Sequence, residues 1–222
     1  MNIETRQPTA TLIQHMGTDL TIVNAARVSF NSESNELNEK DKKLIRFLKM
    51  NRHDSVFEHC SATFLIECDL AIAMQIVRHR TFAYNMVSRR YTKEGMWFYI
   101  PEKFRRQSEN NKQASDGVLG EKETKRLMKV FTLGYGLCYA LYGYALKLGL
   151  CREQARYLLP VGSGTKFYMT GNLRNFMHFI ELRDKADAQG EVQWIAASMK
   201  EQLNEYFPNA IQAFKDFQEK QK

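Results

Sequence analysis

Long apolar runs are missing from this sequence. Nothing in its 222 residues approaches the ~20 consecutive apolar residues that a membrane span needs, so no membrane partner is expected. The opening MNIETRQPTA has no apolar run behind a basic start, which argues against a signal peptide and makes the cytoplasm the expected location. Cysteine is scarce: Cys60, Cys68, Cys138 and Cys151 are the four, and none forms a C-x-x-C pair or a zinc-spaced cluster with histidine. Reduced, mostly buried thiols and no metal are therefore expected. Phosphate-cradling glycine motifs are absent too. There is no G-x-G-x-x-G and no Walker A, and Gly162-Ser163-Gly164 lacks the frame. No G-x-S-x-G turn signals a hydrolase serine.

What the chain has is positive charge. The net charge is +7 and the pI about 9.2, a balance suited to nucleic acid, an acidic surface or phosphorylated small molecules. The basic residues are spread along the chain without a Lys/Arg tail, which favours discrete anionic ligands over a duplex. The 44% hydrophobic and 26% charged content fits an ordinary globular protein. One domain spanning residues 1–222 is expected, long enough to bury a proper core.

The coarse pattern is mixed α+β. Strands are expected at 10–15, 61–68, 96–100 and 166–170. Residues 84–91 read as extended. Thr18 or Asp19 caps a helix through Val28, and a second helix runs from Glu39 to Met50 with Leu44, Phe47 and Leu48 inward. Asp69 caps a helix reading LAIAMQIVRHR. Its apolar stripe is Leu70, Ala73, Met74 and Val77, and Gln75, Arg78 and His79 share another face at i, i+3 and i+4. Residues 102–123 read as partly helical and then as a mobile excursion. A long helix spans 124–148, stopped by Gly149. Short helical residues 152–159 follow, then a helix from Asn172 to about Asp184, one capped by Asp187 and ending near Tyr206, and a last one begun by Pro208.

The densest chemistry lies at Arg78–Tyr91, RHRTFAYNMVSRRY. It holds Arg78, Arg80, Arg89 and Arg90, with His79, Asn85 and Ser88 among them. Guanidinium groups are planar, multi-donor and permanently charged, so the cluster suits a phosphate. A solvated basic surface, or ion pairs to acids such as Glu58, is the competing reading. His53 and His59 flank Glu58, and with His79 they could be imagined around a metal; hydrogen-bonded structural histidines are the preferred reading. Ser88 has no base at a recognisable spacing, so it reads as a ligand anchor rather than a nucleophile.

Arg78-His79-Arg80, seven residues, then Ser88 resembles the RHR-x7-S signature of the flavin-dependent thymidylate synthases, the ThyX family. The likeness extends through Asn85, Arg90 and Tyr91. His53 to His59 (HDSVFEH) resembles the family's upstream histidine segment. Ala155-Arg156…Leu159-Pro160, Asn172-Leu173-Arg174, Leu182-Arg183 and Ala188-Gln189…Glu191 resemble its C-terminal half. The resemblance implies a single α+β domain with a small, mainly antiparallel sheet packed with helices, assembling as a homotetramer whose active sites lie where subunits meet. It implies FAD as cofactor, with dUMP, methylenetetrahydrofolate and NADPH as substrates, and dTMP as product. By resemblance, Gln75, Arg78, Ser88, Arg89, Arg90, Arg156 and Arg183 correspond to the dUMP-binding set. Arg183 and Ser88 are placed at the catalytic centre. His53, Ser55, Arg78, His79, Arg80, Asn85, Met86, Asn172, His178 and Asp187 correspond to flavin-binding positions. The chain departs from the family pattern at Met86, usually Glu, at Ala83, Val56 and Asp187, and at His178. Two other readings stand beside the enzyme. One is a nucleic-acid binder using Arg78, Arg80, Arg89 and Arg90 on backbone phosphates; the other is a family member that has lost turnover through the Met86 change.

Overall fold

A computed structural model describes residues 3–112, 115–185 and 187–221. In chain order the elements are β1 (Thr9–Met16), α1 (Asp19–Arg27), α2 (Glu39–Met50), β2 (Ser61–Asp69), α3 (Leu70–Ile76), β3 (Ala83–Met86), β4 (Arg105–Gln107), β5 (Ser115–Val118), α4 (Glu121–Lys147), α5 (Arg152–Ala155), β6 (Gly164–Asn172), α6 (Leu173–Arg183), α7 (Gly190–Tyr206) and α8 (Pro208–Lys220). The α+β class is as expected. None of the described helices is long and apolar enough to cross a membrane.

Four strands form one sheet in the order β1-β2-β6-β3. Its sense follows from the pairings. Leu70 N–H donates to Ser163 O (3.0 Å), the Thr63 and Thr170 hydroxyls meet at 3.0 Å, and Leu173 N–H donates to Cys60 O (2.8 Å). As one residue number climbs the other falls by the same amount, which only antiparallel strands allow. Val87 N–H on Lys166 O (3.0 Å) ties the end of β3 to β6.

The chain divides into two compact units, neither of them contiguous. The first takes the N-terminal segment through Thr9, Glu67–Arg78 and Met86–Phe167; the second takes Ala10–Ile66, His79–Asn85 and Tyr168 onward.

In the second unit, helix starts are set by side-chain caps. Thr18 and Thr21 form a capping box at α1, and Asn38 accepts from the Lys40 and Asp41 amides at α2. Asp19 is buried and serves α8: its carboxylate accepts from the Asn209 and Ala210 amides (2.8 and 3.0 Å) and from Asn209 Nδ2 (2.8 Å). A carboxylate at a helix N-terminus satisfies free N–H groups and complements the dipole, and Pro208 at the first position has no N–H to satisfy. Ile22, Ile45, Phe57, Phe64, Phe176, Ile195 and Phe214 are all 1% exposed or less and form the centre of this core.

The inward face of α2 differs from the sequence expectation. Asp41, Ile45, Leu48 and Lys49 are buried, whereas Phe47 is 56% exposed. Two charged residues turn inward because partners await them. Arg27 pairs with Asp41. Lys49 Nζ lies 2.9 Å from Asp54 and over the rings of Phe57, Phe214 and Phe217.

In the first unit α3 stops at Ile76, so Arg78, His79 and Arg80 are not helical and the expected face shared with Gln75 does not form. Its first amides are committed to Ser163 O and Val161 O, and its last turn closes with Arg78 N–H on Gln75 O. Ile72, Ala73 and Ile76 are buried, and Met74 is exposed. Residues 96–100 are buried as a strand would be, yet only Phe98 makes bridges, to Thr5 and Ser163. The described residues of 102–120 hold no helix: β4 and β5 pair as an antiparallel ribbon, and α4 already begins at Glu121. Gln113 and Ala114, within the expected excursion, lie outside the described residues. Helix α4 ends where Gly149 takes a positive φ of 89°, a value glycine adopts without strain. In the second unit α7 is capped by Gln189 rather than Asp187. All four cysteines are free; Cys60 and Cys68 are buried, Cys138 is half-buried and Cys151 exposed.

Candidate active site

The expected site residues fall in both units. In the first, β3 leads into a turn in which Tyr91 N–H donates to Ser88 O (3.0 Å) and Arg90 N–H donates to Ser88 Oγ (3.3 Å). Ser88 is half-buried, and among the described residues no acid or imidazole meets its hydroxyl. That geometry suits an anchor. Arg90 is exposed and lies 3.7 Å from the Glu153 carboxylate, while Arg156 Nε donates to Glu153 O (3.2 Å). Two of the expected phosphate-binding arginines thus converge on one residue of α5. Glu153 was not singled out from sequence; its place three residues before Arg156 was the available signal.

Arg90, Lys93, Arg152 and Glu153 line a cavity of about 600 Å³. Three cations against one acid leave a net positive wall, and side chains of this kind hold an anionic group well. Arg89 is different. Its Nη1 donates to Glu94 O (2.7 Å), and its Nη2 to Gly95 O (3.2 Å) and Gly164 O (3.1 Å). Burial lowers its pKa, with the Tyr142 and Tyr139 rings opposing. Gln75 is half-buried in the last turn of α3, and Arg78 is exposed just beyond it.

In the second unit the clearest feature is a pair. Arg183, at the end of α6, donates from Nε to His79 Nε2 at 2.9 Å. An imidazole nitrogen that accepts carries no proton, so the ring's proton sits on Nδ1. The Phe179 ring packs edge-on at 4.9 Å, and Tyr84 Oη donates to His79 O (2.9 Å). Burial first, then the Arg183 charge and then His178, lower the His79 pKa to about 4. Burial raises the Tyr84 pKa to about 12, which keeps its hydroxyl a donor. His79 is therefore neutral at pH 7, and among the described residues no carboxylate pairs with Arg183.

Asn172 caps α6, its Oδ1 accepting from Asn175 N–H (2.9 Å), and Asn175 Nδ2 donates to Thr81 O (2.9 Å). His178 is exposed and lines a cavity of about 360 Å³ with Lys49, Arg52, Asp54, Arg174 and Glu181. Arg174 pairs with Glu58, one acid the sequence reading had named for ion pairing. His53 is exposed, its ring stacked on Phe47 at 6.2 Å. Ser55 is exposed in the 3-10 turn Asp54–His59. Arg80, Asn85 and Asp187 are exposed and Met86 is half-buried. The cationic and amide donors around this cavity fit the diphosphate of a dinucleotide.

Comparison with known proteins gives the same direction. Residues 11–209 match the family model for Thy1, thymidylate synthase complementing protein. A flavin-dependent thymidylate synthase of Thermus thermophilus is 39% identical over 206 residues, covering 92% of this chain and 74% of that one. That of Thermosipho africanus is 35% identical over 206 residues, covering 93% and 90%. A solved UMP/dUMP methylase, PolB from Streptomyces cacaoi bound with 5-Br dUMP, has a TM-score of 0.87 and 32% identity, covering 97% of this chain and 98% of that one. The same methylase bound with 5-Br UMP also superposes with a TM-score of 0.87.

Proposed function

This chain belongs to the flavin-dependent thymidylate synthase family, and from that membership we propose that it converts dUMP to dTMP. The whole of residues 1–222 works as one synthase domain. Bound FAD, once reduced by NADPH, supplies the hydride, and methylenetetrahydrofolate supplies the carbon.

The observation that carries this reading is the Arg183–His79 pair. Activating uracil at C5 pushes negative charge onto the pyrimidine ring. Arg183 meets that charge with a guanidinium whose partner among the described residues, His79, is neutral, so its charge remains for the substrate. His79 fixes the orientation of the guanidinium by accepting at Nε2. The phosphate of dUMP belongs with Ser88, Arg90 and Arg156, where cationic donors gather around Glu153. Gln75 and Arg78, at the end of α3, complete the nucleotide set. For FAD, the diphosphate fits the donors at Arg174, His178 and Asn175, while His53, Ser55, Arg80, Asn85, Met86, Asn172 and Asp187 complete the binding surface. The PolB relative, whose structures hold 5-Br dUMP and 5-Br UMP, supports a uridylate as the substrate class, with dUMP the specific reading.

We further propose a homotetramer. Val130, Leu133, Leu137, Leu141, Tyr144 and Leu148 are all at least 45% exposed, at three- and four-residue spacings along and just past α4. Residues 130–146 carry no charge. A helix face of this kind is covered by a partner in stable proteins.

The purified protein is expected to be yellow, to bleach with NADPH, and to release tritium from C5-labelled dUMP when the folate is supplied. UMP run in parallel measures the sugar preference. A colourless protein that also fails to bind added FAD overturns the reading. Arg183→Ala is expected to lower tritium release by about 10²–10³-fold or more with flavin content retained. Joint loss of flavin and turnover would move Arg183 to the cofactor.

A further inference from the structure

Arg89 and Arg90 are consecutive, yet they line different cavities. Arg90 opens, with Arg152 and Glu153, into the cationic cavity of about 600 Å³. Arg89 opens, with Arg6 and Trp97, into another of about 320 Å³. The guanidinium of Arg89 gives three of its N–H groups to backbone carbonyls. Two, Glu94 O and Gly95 O, belong to the far end of its own loop; the third, Gly164 O, is the first residue of β6.

That anchor point is itself fixed. Gly164 N–H donates to Trp97 O at 2.8 Å, and a Cβ on Gly164 would collide with the Trp97 ring. The near end of the loop is held by Val87 N–H on Lys166 O, and its middle by the turn that Ser88 O closes with Tyr91. Arg89 ties the remaining end. A planar, forked cation spreads its donors over separate nitrogens and so spans carbonyls of two segments in a fixed geometry; an ammonium carries its three donors on one atom.

We propose that Arg89 is a positioning residue. It clamps the Ser88–Gly95 loop onto β6, so that Ser88 and Arg90 on either side of it are held ready for the nucleotide phosphate, which Arg89 itself does not touch. This rests on the reading of Ser88 and Arg90 as phosphate ligands, and it replaces the expectation that Arg89 binds dUMP directly.

The test uses the FAD-loaded protein and the Arg89→Ala and Arg89→Lys variants. Hydrogen exchange is measured first without nucleotide. Both variants are expected to exchange faster at the amides of residues 88–95, with exchange in α6 and α7 unchanged. Tritium release from dUMP is then expected to show KM raised by about 10- to 100-fold with kcat little changed, because a misplaced anchor weakens binding before chemistry. Added guanidinium ion restores KM in Arg89→Ala, and sodium chloride at the same concentration does not. A raised KM with unaltered exchange in the free protein would make Arg89 a direct ligand and overturn the proposal. So would an unchanged KM in an active variant, or rescue by sodium chloride. If the wild-type protein releases no tritium and binds no dUMP, the functional reading fails with it; the exchange measurement then still reports whether the clamp exists.

Discussion

Protonating His79 is expected to work against the folded state, and the structure gives the size and sign. The ordinary imidazole pKa is 6.5 and the folded value about 4, lowered by burial and then by Arg183. Between those values the unfolded chain takes up a proton that the folded ring refuses. Falling pH therefore favours unfolding across this window, and above pH 6.5 the contribution is complete. At about 1.4 kcal/mol per pH unit the interval would be worth about 3 kcal/mol in a dry site. The ring is only half-buried, and solvent screening brings this to about 1–2 kcal/mol. Two measurements check it. The C2 proton of His79, identified by its loss in His79→Gln, is expected to titrate near 4. Unfolding free energies from denaturant titrations between pH 6.5 and 4 are expected to fall further in the wild type than in His79→Gln, by about 1–2 kcal/mol. In Arg183→Gln the His79 value is expected to rise only part of the way, because burial is the larger cause. A wild-type His79 that titrates at or above its ordinary value would refute the reasoning, and with it the neutral partner assigned to Arg183.

Two further outcomes follow from packing. Asp54→Asn leaves the buried Lys49 without its counter-charge, and about 3 kcal/mol of stability is expected to be lost, or about 6–12 °C in Tm; a melt within a degree or two of wild type would show that the surrounding rings suffice for the ammonium. Leu137→Glu with Leu141→Glu puts charges into the exposed α4 face and is expected to reduce the mass seen by light scattering from tetramer to a smaller species, whereas an unchanged mass would place the subunit contacts elsewhere.

Much of the fold was legible because its caps are written locally. Thr18, Asp69, Asn172 and Pro208 each mark a helix start that the structure keeps. Strand β2 and the extent of α6 also follow directly from composition and period. The failures have a common physical origin. Helix α3 had the periodicity to reach Arg80, but the strand that follows must pair with β6, and that long-range demand ends the helix at Ile76. The face of α2 was misjudged because Asp41 and Lys49 look like solvent residues until Arg27 and Asp54 are seen beside them. Apart from Val118 the β4–β5 ribbon has no large apolar residue, so it gives no alternation to read. At the site, residue types were readable and their partners were not. His79 and Arg183 are 104 residues apart, and charge alone cannot distinguish an arginine on a phosphate from one on three carbonyls.

The strand order carries a consequence for how this protein is made. β6 lies between β2 and β3, yet it is the last strand to be synthesised. Until Gly164–Asn172 leaves the ribosome, β2 and β3 each have an edge with no partner. The β2 edge carries Phe64, Leu65 and Ile66, an apolar run of the kind that pairs with the wrong chain. Synthesis proceeds at about 5–20 residues per second, so the roughly one hundred residues between β2 and β6 leave that edge open for several seconds at least. Neither compact unit is complete before β6 arrives, since each holds part of that strand. For this topology the period of greatest exposure of the β2 edge is set by translation.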